Sequence, residues 1–465
     1  MKKTFLLLLL TLTFFSCQKS LEIQPKMIIE SGGAITSVKD LETVLTGAYD
    51  GLQSGNIFGG NFVALSDFMA EDTKVDETKL SNFGTREIYF RQTTVQIGLL
   101  GGMWGDAYSV INRCNNVIHV IDNNKISGSE FESKKGRIKG EALFMRAITH
   151  FELVRLFALP YDAESSGNNQ PGIPYRMEPI LDGFDKSAIE MARNSVQEVY
   201  EKSLTDLNLA IILLTEAGQI SSIGRASALA ATAYKARIQF MMGRYGDAYT
   251  SATTVINSGS YSLNDSLTPV FLQSGNATTE ENIFQLINIT TDNSNSLQGF
   301  YRRAYNPVFT ASDELYDSVD SLDYRKNQWF EKDFANRKFS KKYNQPTAAP
   351  ININIIRLSE MYLIAAESNL LPGGNGNVTE SLSYYNAIRR KAFKGNQVDE
   401  TNPNGLLTKI QGERRRELCF EGDRLHNLKR MKKNLRDGVA WNDATVIFKI
   451  PQAEIAGNPL MEQNP

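Results

Sequence analysis

The sequence predicts an all-α fold in which antiparallel helical hairpins stack into a scaffold, with long irregular loops and at most minor β-structure. Apolar residues recur at helical spacing in segments that come in pairs, and the connections within the pairs are short. Each segment is close to the mean helix length or longer. With 465 residues and 42% hydrophobic content the chain can bury a large core. We expect one domain over residues 37–465.

The first helix is expected over residues 38–54, because Ser37 is a good N-cap and apolar residues recur on one face. The same periodicity predicts further helices over residues 104–121, 139–157, 195–215, 226–242, 247–256, 356–370, 379–393 and 406–420. Residues 226–257 also place small alanines where two helices meet, at the spacing of a tetratricopeptide repeat. One such repeat cannot bury its own apolar face, so we expect tetratricopeptide-like hairpins to stack.

Two segments, about residues 55–103 and 290–345, lack a sustained helical period. They contain many aromatic, Gly, Asn, Asp and Arg residues. Loops of this length in compact proteins are usually functional or disordered. We therefore expect these two loops to form the ligand-binding face.

The N-terminus has the order of a secretory signal: Lys2 and Lys3, an apolar run over residues 5–15, then Ser16 and Cys17. The run is shorter than the roughly 20 apolar residues of a membrane span. Bacterial lipoproteins are cleaved and acylated at a cysteine behind a small residue, although Phe14 replaces the usual Leu. We expect a signal peptide over residues 1–16, lipidation of Cys17 and a tether over residues 17–36. A plain signal peptide is the alternative.

Charge and cysteine content narrow the function classes. The chain has 50 basic and 52 acidic side chains, and removing residues 1–16 would take away two lysines. This slightly acidic balance argues against a nucleic-acid partner, which requires a basic surplus or stripe. Cys114 and Cys419 fall within helical patterns, where an isolated cysteine is usually a small buried apolar residue. The spacing neither supports nor excludes a disulfide between them.

Five segments carry longer motifs: GEALFMRAITHFELVRLFALPY (140–161), GRASALAATAYKARIQFMMGRYGDAYTSATTVINSGSYSL (224–263), INIIRLSEMYLIAAES (353–368), ERRRELCFEGDRLHNLKR (413–430) and IPQAEIAGNPLMEQNP (450–465). In this order, over most of the chain, they resemble the SusD/RagB family of nutrient-binding outer-membrane lipoproteins of Bacteroidetes. Ala158 departs from the family pattern, which usually has Gly there.

The resemblance implies a tetratricopeptide-like scaffold with a variable ligand face made of loops. It also implies a partner, a SusC-like TonB-dependent outer-membrane transporter over which the lipoprotein sits at the cell surface. The ligands of such pairs are oligosaccharides, and peptides for some members. Because the ligand face varies within the family, no ligand contact can be carried over to this chain.

Carbohydrate sites combine an aromatic plate, which contacts the apolar face of the sugar, with planar side chains that bind its hydroxyls. The two loops contain these residue types. The candidates are Asp67, Asp72, Phe83, Tyr89 and Arg91 in the first loop and Tyr301, Arg302, Tyr305, Trp329 and Phe330 in the second. We assign Trp104 and Trp441 to packing, which leaves Trp329 as the tryptophan available for stacking.

A lipid-anchored glycosidase is the competing enzyme hypothesis, since it needs two carboxylates, one with a raised pKa. The acidic residues at 413, 417, 421 and 423 are surrounded by arginines, which lower carboxylate pKa values. We instead predict an ion-pair network that reaches another helix through Arg357 and Glu360. The three histidines have no metal-binding spacing, and His150 is expected to pack in the core. We expect no enzyme, cofactor or metal, and a transporter partner without its own ligand stays a third alternative.

Overall fold

The computed structural model describes residues 35–80, 84–181, 185–218, 223–344, 350–394 and 399–465. The predicted signal peptide, Cys17, nearly all of the tether and Phe83 lie outside these residues. The described chain is mostly helical with small sheets, which confirms the predicted all-α class with minor β-structure.

The longer helices are α1 (Val38–Leu52), α2 (Asn61–Met69), α4 (Gly98–Asp122), α5 (Ser129–Phe157), α7 (Val196–Glu216), α8 (Ala228–Met241), α9 (Tyr245–Asn257), α13 (Leu358–Ser368), α14 (Val378–Phe393), α15 (Leu406–Glu417) and α16 (Asp423–Arg430). The short helices are α3 (Thr85–Tyr89), α6 (Lys186–Ile189), α10 (Leu297–Tyr301), α11 (Asp313–Ser318), α12 (Arg325–Gln328) and α17 (Gln452–Gly457).

The long helices pack in a row that largely follows the chain. Helix α1 packs on α4 and α5, α5 on α7, α7 on α8, α8 on α9, α9 on α13, and α13 on α14. The facing apolar side chains of α1 to α9 join one hydrophobic core that extends from Ile35 to Met461, whereas α14 packs on α13 through two smaller apolar clusters. The predicted stacking of neighbouring helices is therefore confirmed, because the apolar faces of these helices are buried against one another.

Helix α5 begins at Ser129, ten residues before the predicted start. Its first turns are charged and mostly exposed, and they carry ion pairs between Glu130 and Lys134 and between Glu132 and Lys135. Such pairs support a helix without an apolar stripe. The apolar period on which the prediction relied is therefore missing from this part of the helix.

Within the described ranges, six short strands form two antiparallel sheets. Strands β1 (Thr73–Val75), β3 (Phe309–Ala311), β5 (Lys338–Ser340) and β4 (Phe330–Lys332) lie in this order in a four-stranded sheet. Strands β2 (Asn282–Leu286) and β6 (Ile353–Arg357) form a two-stranded sheet that leads directly into α13.

The prediction that residues 55–103 and 290–345 are irregular was wrong in part. The first segment contains α2, β1, α3 and the start of α4, and the second contains α10, α11, α12 and three strands. Strands of three residues are too short to show an alternating pattern. They could not be recognised from local sequence alone.

Several packing predictions are confirmed. Trp104 is buried, and His150 stacks on Tyr175 with ring centroids 3.8 Å apart. Cys114 and Cys419 are both buried and unpaired, so the disulfide left open by the sequence is not formed. Burial raises the pKa of each thiol to about 12.

None of the helices in the described part of the chain is both long and apolar enough to cross a membrane.

Candidate functional site

Three of the aromatic candidates are buried in or beside the four-stranded sheet. Trp329 packs edge-on against Phe271, and Phe330 packs against Phe420. Tyr301 lies in the core, and its hydroxyl donates to Asp67 Oδ2 at 2.5 Å. The expected exposure of Trp329, Tyr301 and Phe330 is contradicted by their burial. Helix packing does not explain these aromatics, as expected, but contacts with other buried rings do.

The polar candidates of the first loop are also held inside the protein. Asp67 and Asp72 are buried, and Asp72 accepts from Arg415 Nε at 2.7 Å. The Arg436 guanidinium covers the half-buried ring of Tyr89 at 3.7 Å from its centroid, and Arg91 is paired with Asp437. In this arrangement these side chains join segments of the fold and offer little surface to a ligand.

The turn between β4 and β5 presents Phe334 to solvent. Asp333 Oδ1 accepts from the backbone N–H groups of Ala335 and Arg337 at 3.0 and 2.9 Å, and Asn336 adopts a left-handed conformation with φ of 59°. Asp and Asn are the residues that tolerate such turns. Phe334 lies within this turn with its side chain fully exposed.

Tyr305 occupies a second turn beside this hairpin. A 3-10 helix (Arg303–Tyr305) follows α10 and ends at Asn306, which has a positive φ of 48°. The Tyr305 side chain is 59% exposed, and the Arg302 guanidinium lies 5.6 Å from the centroid of its ring. Arg302 Nε has no hydrogen-bond partner among the described residues, and Nη1 makes one long bond of 3.4 Å to Gln298.

Polar contacts join three segments into one surface. Arg303 lies 3.8 Å from Glu331 on β4, Lys79 Nζ donates to Asn306 Oδ1 at 2.6 Å, and Arg337 lies 3.9 Å from Asp76. We call this region the aromatic surface. It consists of the exposed rings of Tyr305 and Phe334 and of the neighbouring polar side chains Arg302, Asn306 and Lys79.

Of the predicted candidates, Tyr305 and Arg302 lie in the aromatic surface, together with Phe334, which is not among the predicted residues. The sequence does carry a signal for Phe334, because the turn-forming residues Asp333 and Asn336 flank it. An apolar side chain within such a turn belongs to no strand and is expected to be exposed.

Two clefts elsewhere in the described part of the chain differ in their lining from the aromatic surface. A cleft of about 670 Å³ beside α14 is lined mainly by polar and charged side chains, including Asp265, Arg390 and Lys394, and by no aromatic ring. A cleft of about 480 Å³ between α4, α5 and α7 is likewise lined by charged residues without an aromatic ring. Neither offers the apolar plate that a sugar ring requires.

The carboxylates considered for catalysis form a buried ion-pair network. Arg357 contacts Glu417 at 2.6 Å and Glu421 at 2.9 Å, and Arg414 lies 3.4 Å from Glu360. The predicted network through Arg357 and Glu360 is therefore confirmed. It links β6, α13, α15 and the start of α16.

The pKa values in this network oppose general acid catalysis. Burial raises the pKa of the Glu417 carboxyl, but Lys391, Arg357 and Arg325 outweigh burial and hold it well below its usual range. The pKa values of Glu413 and Glu421 are also lowered despite burial, because arginines and Lys342 lie beside them. A glycosidase acid needs a raised pKa. In the described part of the chain, no three His, Cys, Asp or Glu side chains are grouped to hold a metal ion.

Two family models match the chain in succession. Residues 21–240 match a SusD-like model described as starch-binding and associating with the outer membrane. Residues 235–465 match the model of the SusD family. Together the two matches extend over nearly the whole chain.

Individual relatives match over comparable lengths. SusD-like protein P2 of Formosa agariphila is 26% identical, and the match covers 93% of this chain and 90% of the relative. SusD-like protein P38 of the same organism is 25% identical over 99% and 98% of the two chains.

Solved structures share the fold. A SusD superfamily protein from Bacteroides thetaiotaomicron aligns with a TM-score of 0.81 and 26% identity, over 92% of this chain and 99% of that chain. A SusD-like carbohydrate binding protein from Bacteroides vulgatus aligns with a TM-score of 0.76 and 20% identity, over 91% and 97%. The second likeness concerns the fold alone.

Proposed function

The chain belongs to the SusD family, and from this premise we propose that it captures an oligosaccharide through its aromatic surface for import across the outer membrane. The observation that carries the proposal is the pairing of two exposed rings, Tyr305 and Phe334, with polar side chains in one surface. The starch-binding description of the N-terminal family model supports a sugar as the ligand.

The chemistry of the aromatic surface suits a sugar. Exposed rings give apolar contact with the C–H face, while the half-buried Arg302 beside Tyr305 carries a guanidinium group of the kind that donates to hydroxyls. Asn306 and Lys79 add an amide and an ammonium group at its edge. The turns that present both rings are held by local hydrogen bonds, so little ordering is required on binding.

A glycan array with the purified protein, followed by calorimetry with the bound glycan, tests this proposal. Replacing Tyr305 or Phe334 with Ala should weaken the Kd by about 3- to 10-fold each, because an aromatic contact contributes about 0.5–1.5 kcal/mol. Ile212→Ala is a matched control, since this side chain is also exposed but lies on α7. Its Kd should not change.

The same purified protein distinguishes an oligosaccharide-binding protein from a glycoside hydrolase and from a peptide-binding protein. Incubation with the bound glycan should produce no new reducing ends, whereas cleavage would favour the hydrolase. Binding to peptides but to no glycan would contradict the sugar proposal in favour of a peptide-binding uptake protein. Glycan binding that survives both aromatic substitutions would refute the aromatic surface as the site.

We further propose that Cys17 carries the lipid anchor and that the protein delivers its ligand to a SusC-like TonB-dependent transporter at the cell surface. The order of residues 1–17 supports the anchor. Metabolic labelling with a fatty acid should mark the natural protein and not Cys17→Ser. Affinity purification from outer membranes should recover a large TonB-dependent transporter, and its absence would contradict the partner assignment.

A further inference from the structure

A small cavity at the C-terminal end of α5 is surrounded by basic side chains. Its volume is about 20 Å³. Its lining includes Arg155 from α5, and His426, Lys429 and Arg430 from α16. The half-buried Leu159, Pro160 and Tyr161 also line it and connect it to the protein surface. This volume is sufficient for one water molecule or one monatomic ion.

Two of these cationic groups have donors without partners. Lys429 is only 4% exposed, and the one hydrogen bond seen for its ammonium runs to the Arg155 carbonyl oxygen at 3.3 Å. The Arg155 side chain is also more than nine-tenths buried, and its Nε has no partner among the described residues. Buried donors without acceptors are rare in folded proteins.

The basic side chains around the cavity are not all balanced by carboxylates. Arg155 is paired with Glu152, and Arg430 is paired with Glu367 at 2.5 Å. Lys429 has no carboxylate within ion-pair distance in the described part of the chain. A buried cation without a counterion is strongly disfavoured. When Lys429 is protonated, its positive charge therefore has no counterion beside the cavity among the described residues.

The electrostatic potential there is positive. Burial lowers the pKa of His426 well below its usual range, and the charges of Arg155 and Lys429 lower it further. Burial, with a smaller contribution from Arg155, also lowers the pKa of Lys429 to about 7. Tyr200 lines the cavity from α7 and is a neutral neighbour, since burial raises the pKa of its hydroxyl above the ordinary value of a tyrosine.

We propose that this cavity binds one small monovalent anion, such as chloride, between Lys429 and Arg155. A water molecule could accept from both donors, but it would leave the lysine charge uncompensated. An anion satisfies the donors and the charge together. The site is separate from the aromatic surface, so the proposal does not depend on the ligand.

Thermal unfolding of the purified protein tests the proposal at mildly acidic pH, where Lys429 is protonated. Ionic strength is held constant while sodium gluconate, whose anion is too large for the cavity, is replaced by sodium chloride. The midpoint should rise with chloride, because a ligand that binds only the folded state stabilises it. Lys429→Met should abolish the rise. Lys433→Met, at an exposed lysine just beyond α16, should keep it.

An unchanged midpoint, or an equal rise in Lys429→Met, would overturn the proposal. Crystals of the natural protein soaked in bromide give a second readout that does not depend on the variant. An anomalous scattering peak in the cavity would support the anion. A peak with the density of water and no anomalous signal would refute it.

Discussion

At the scale of single residues, Asp67 shows how the fold opposes ionisation of a buried carboxyl. Burial raises its pKa to about 8, although the Tyr301 hydroxyl donates to it. In the unfolded chain the carboxyl titrates near its ordinary pKa of about 3.9. Between these values the folded state keeps a proton that the unfolded state has lost. This contribution to stability is full below about pH 4 and is lost as pH rises through 8.

Asp67→Asn removes this titration and keeps a carbonyl oxygen that can accept from Tyr301. The difference in unfolding midpoint between pH 5 and pH 9 should therefore be smaller in Asp67→Asn than in the natural protein. Thermal unfolding by circular dichroism across this range measures it. Parallel pH profiles of the two proteins would contradict the raised pKa.

At the scale of elements, the helices that the sequence predicted best carry both a period and a cap. Helix α7 begins with a capping box, in which Ser195 Oγ accepts from the Glu198 backbone N–H at 3.2 Å and Glu198 accepts from the Ser195 N–H at 2.8 Å. These bonds satisfy backbone donors that no helical carbonyl can reach. The first residues of the helix could therefore be predicted to within one position.

Ser195→Ala should lower the free energy of unfolding by about 1 kcal/mol, within the range of about 0.5–2 kcal/mol measured for caps. Urea denaturation measures this change. Thr205→Ala in the exposed middle of the same helix is the control, and it should stay within about 0.5 kcal/mol. An equal loss in both variants would contradict a specific contribution of the cap, because alanine itself favours the helix.

At the scale of the whole molecule, the buried ion-pair network ties distant segments together. Glu417 forms ion pairs with Arg325 from α12, Arg357 from β6 and Lys391 from α14, at 2.9, 2.6 and 3.0 Å. Its lowered pKa stabilises the fold above the ordinary pKa of a glutamate, and this stability is lost as pH falls below that value. We expect this network to make the fold sensitive to acid, because the unfolded chain takes up protons at pH values where these carboxylates stay ionised in the fold.

Glu417→Gln should destabilise the protein by about 3–5 kcal/mol, because it leaves three buried cations with less compensation. Urea denaturation at neutral pH measures the loss. Glu462→Gln, at an exposed position near the C-terminus, should change stability by no more than about 0.5 kcal/mol. A small effect of Glu417→Gln would mean that the other carboxylates suffice to balance these cations.

The sequence by itself determined the helical class, most long helices and the pairing of Arg357 with the acidic residues of α15 and the turn beyond it. These features depend on local period, caps and charge pattern, which are readable along the chain. Only the tertiary structure decided which aromatic rings face solvent. Tyr301 is enclosed by Phe309 and Tyr343, whereas Tyr305, four residues later, is exposed. Burial of a ring depends on neighbours far away in sequence, and no local pattern specifies them.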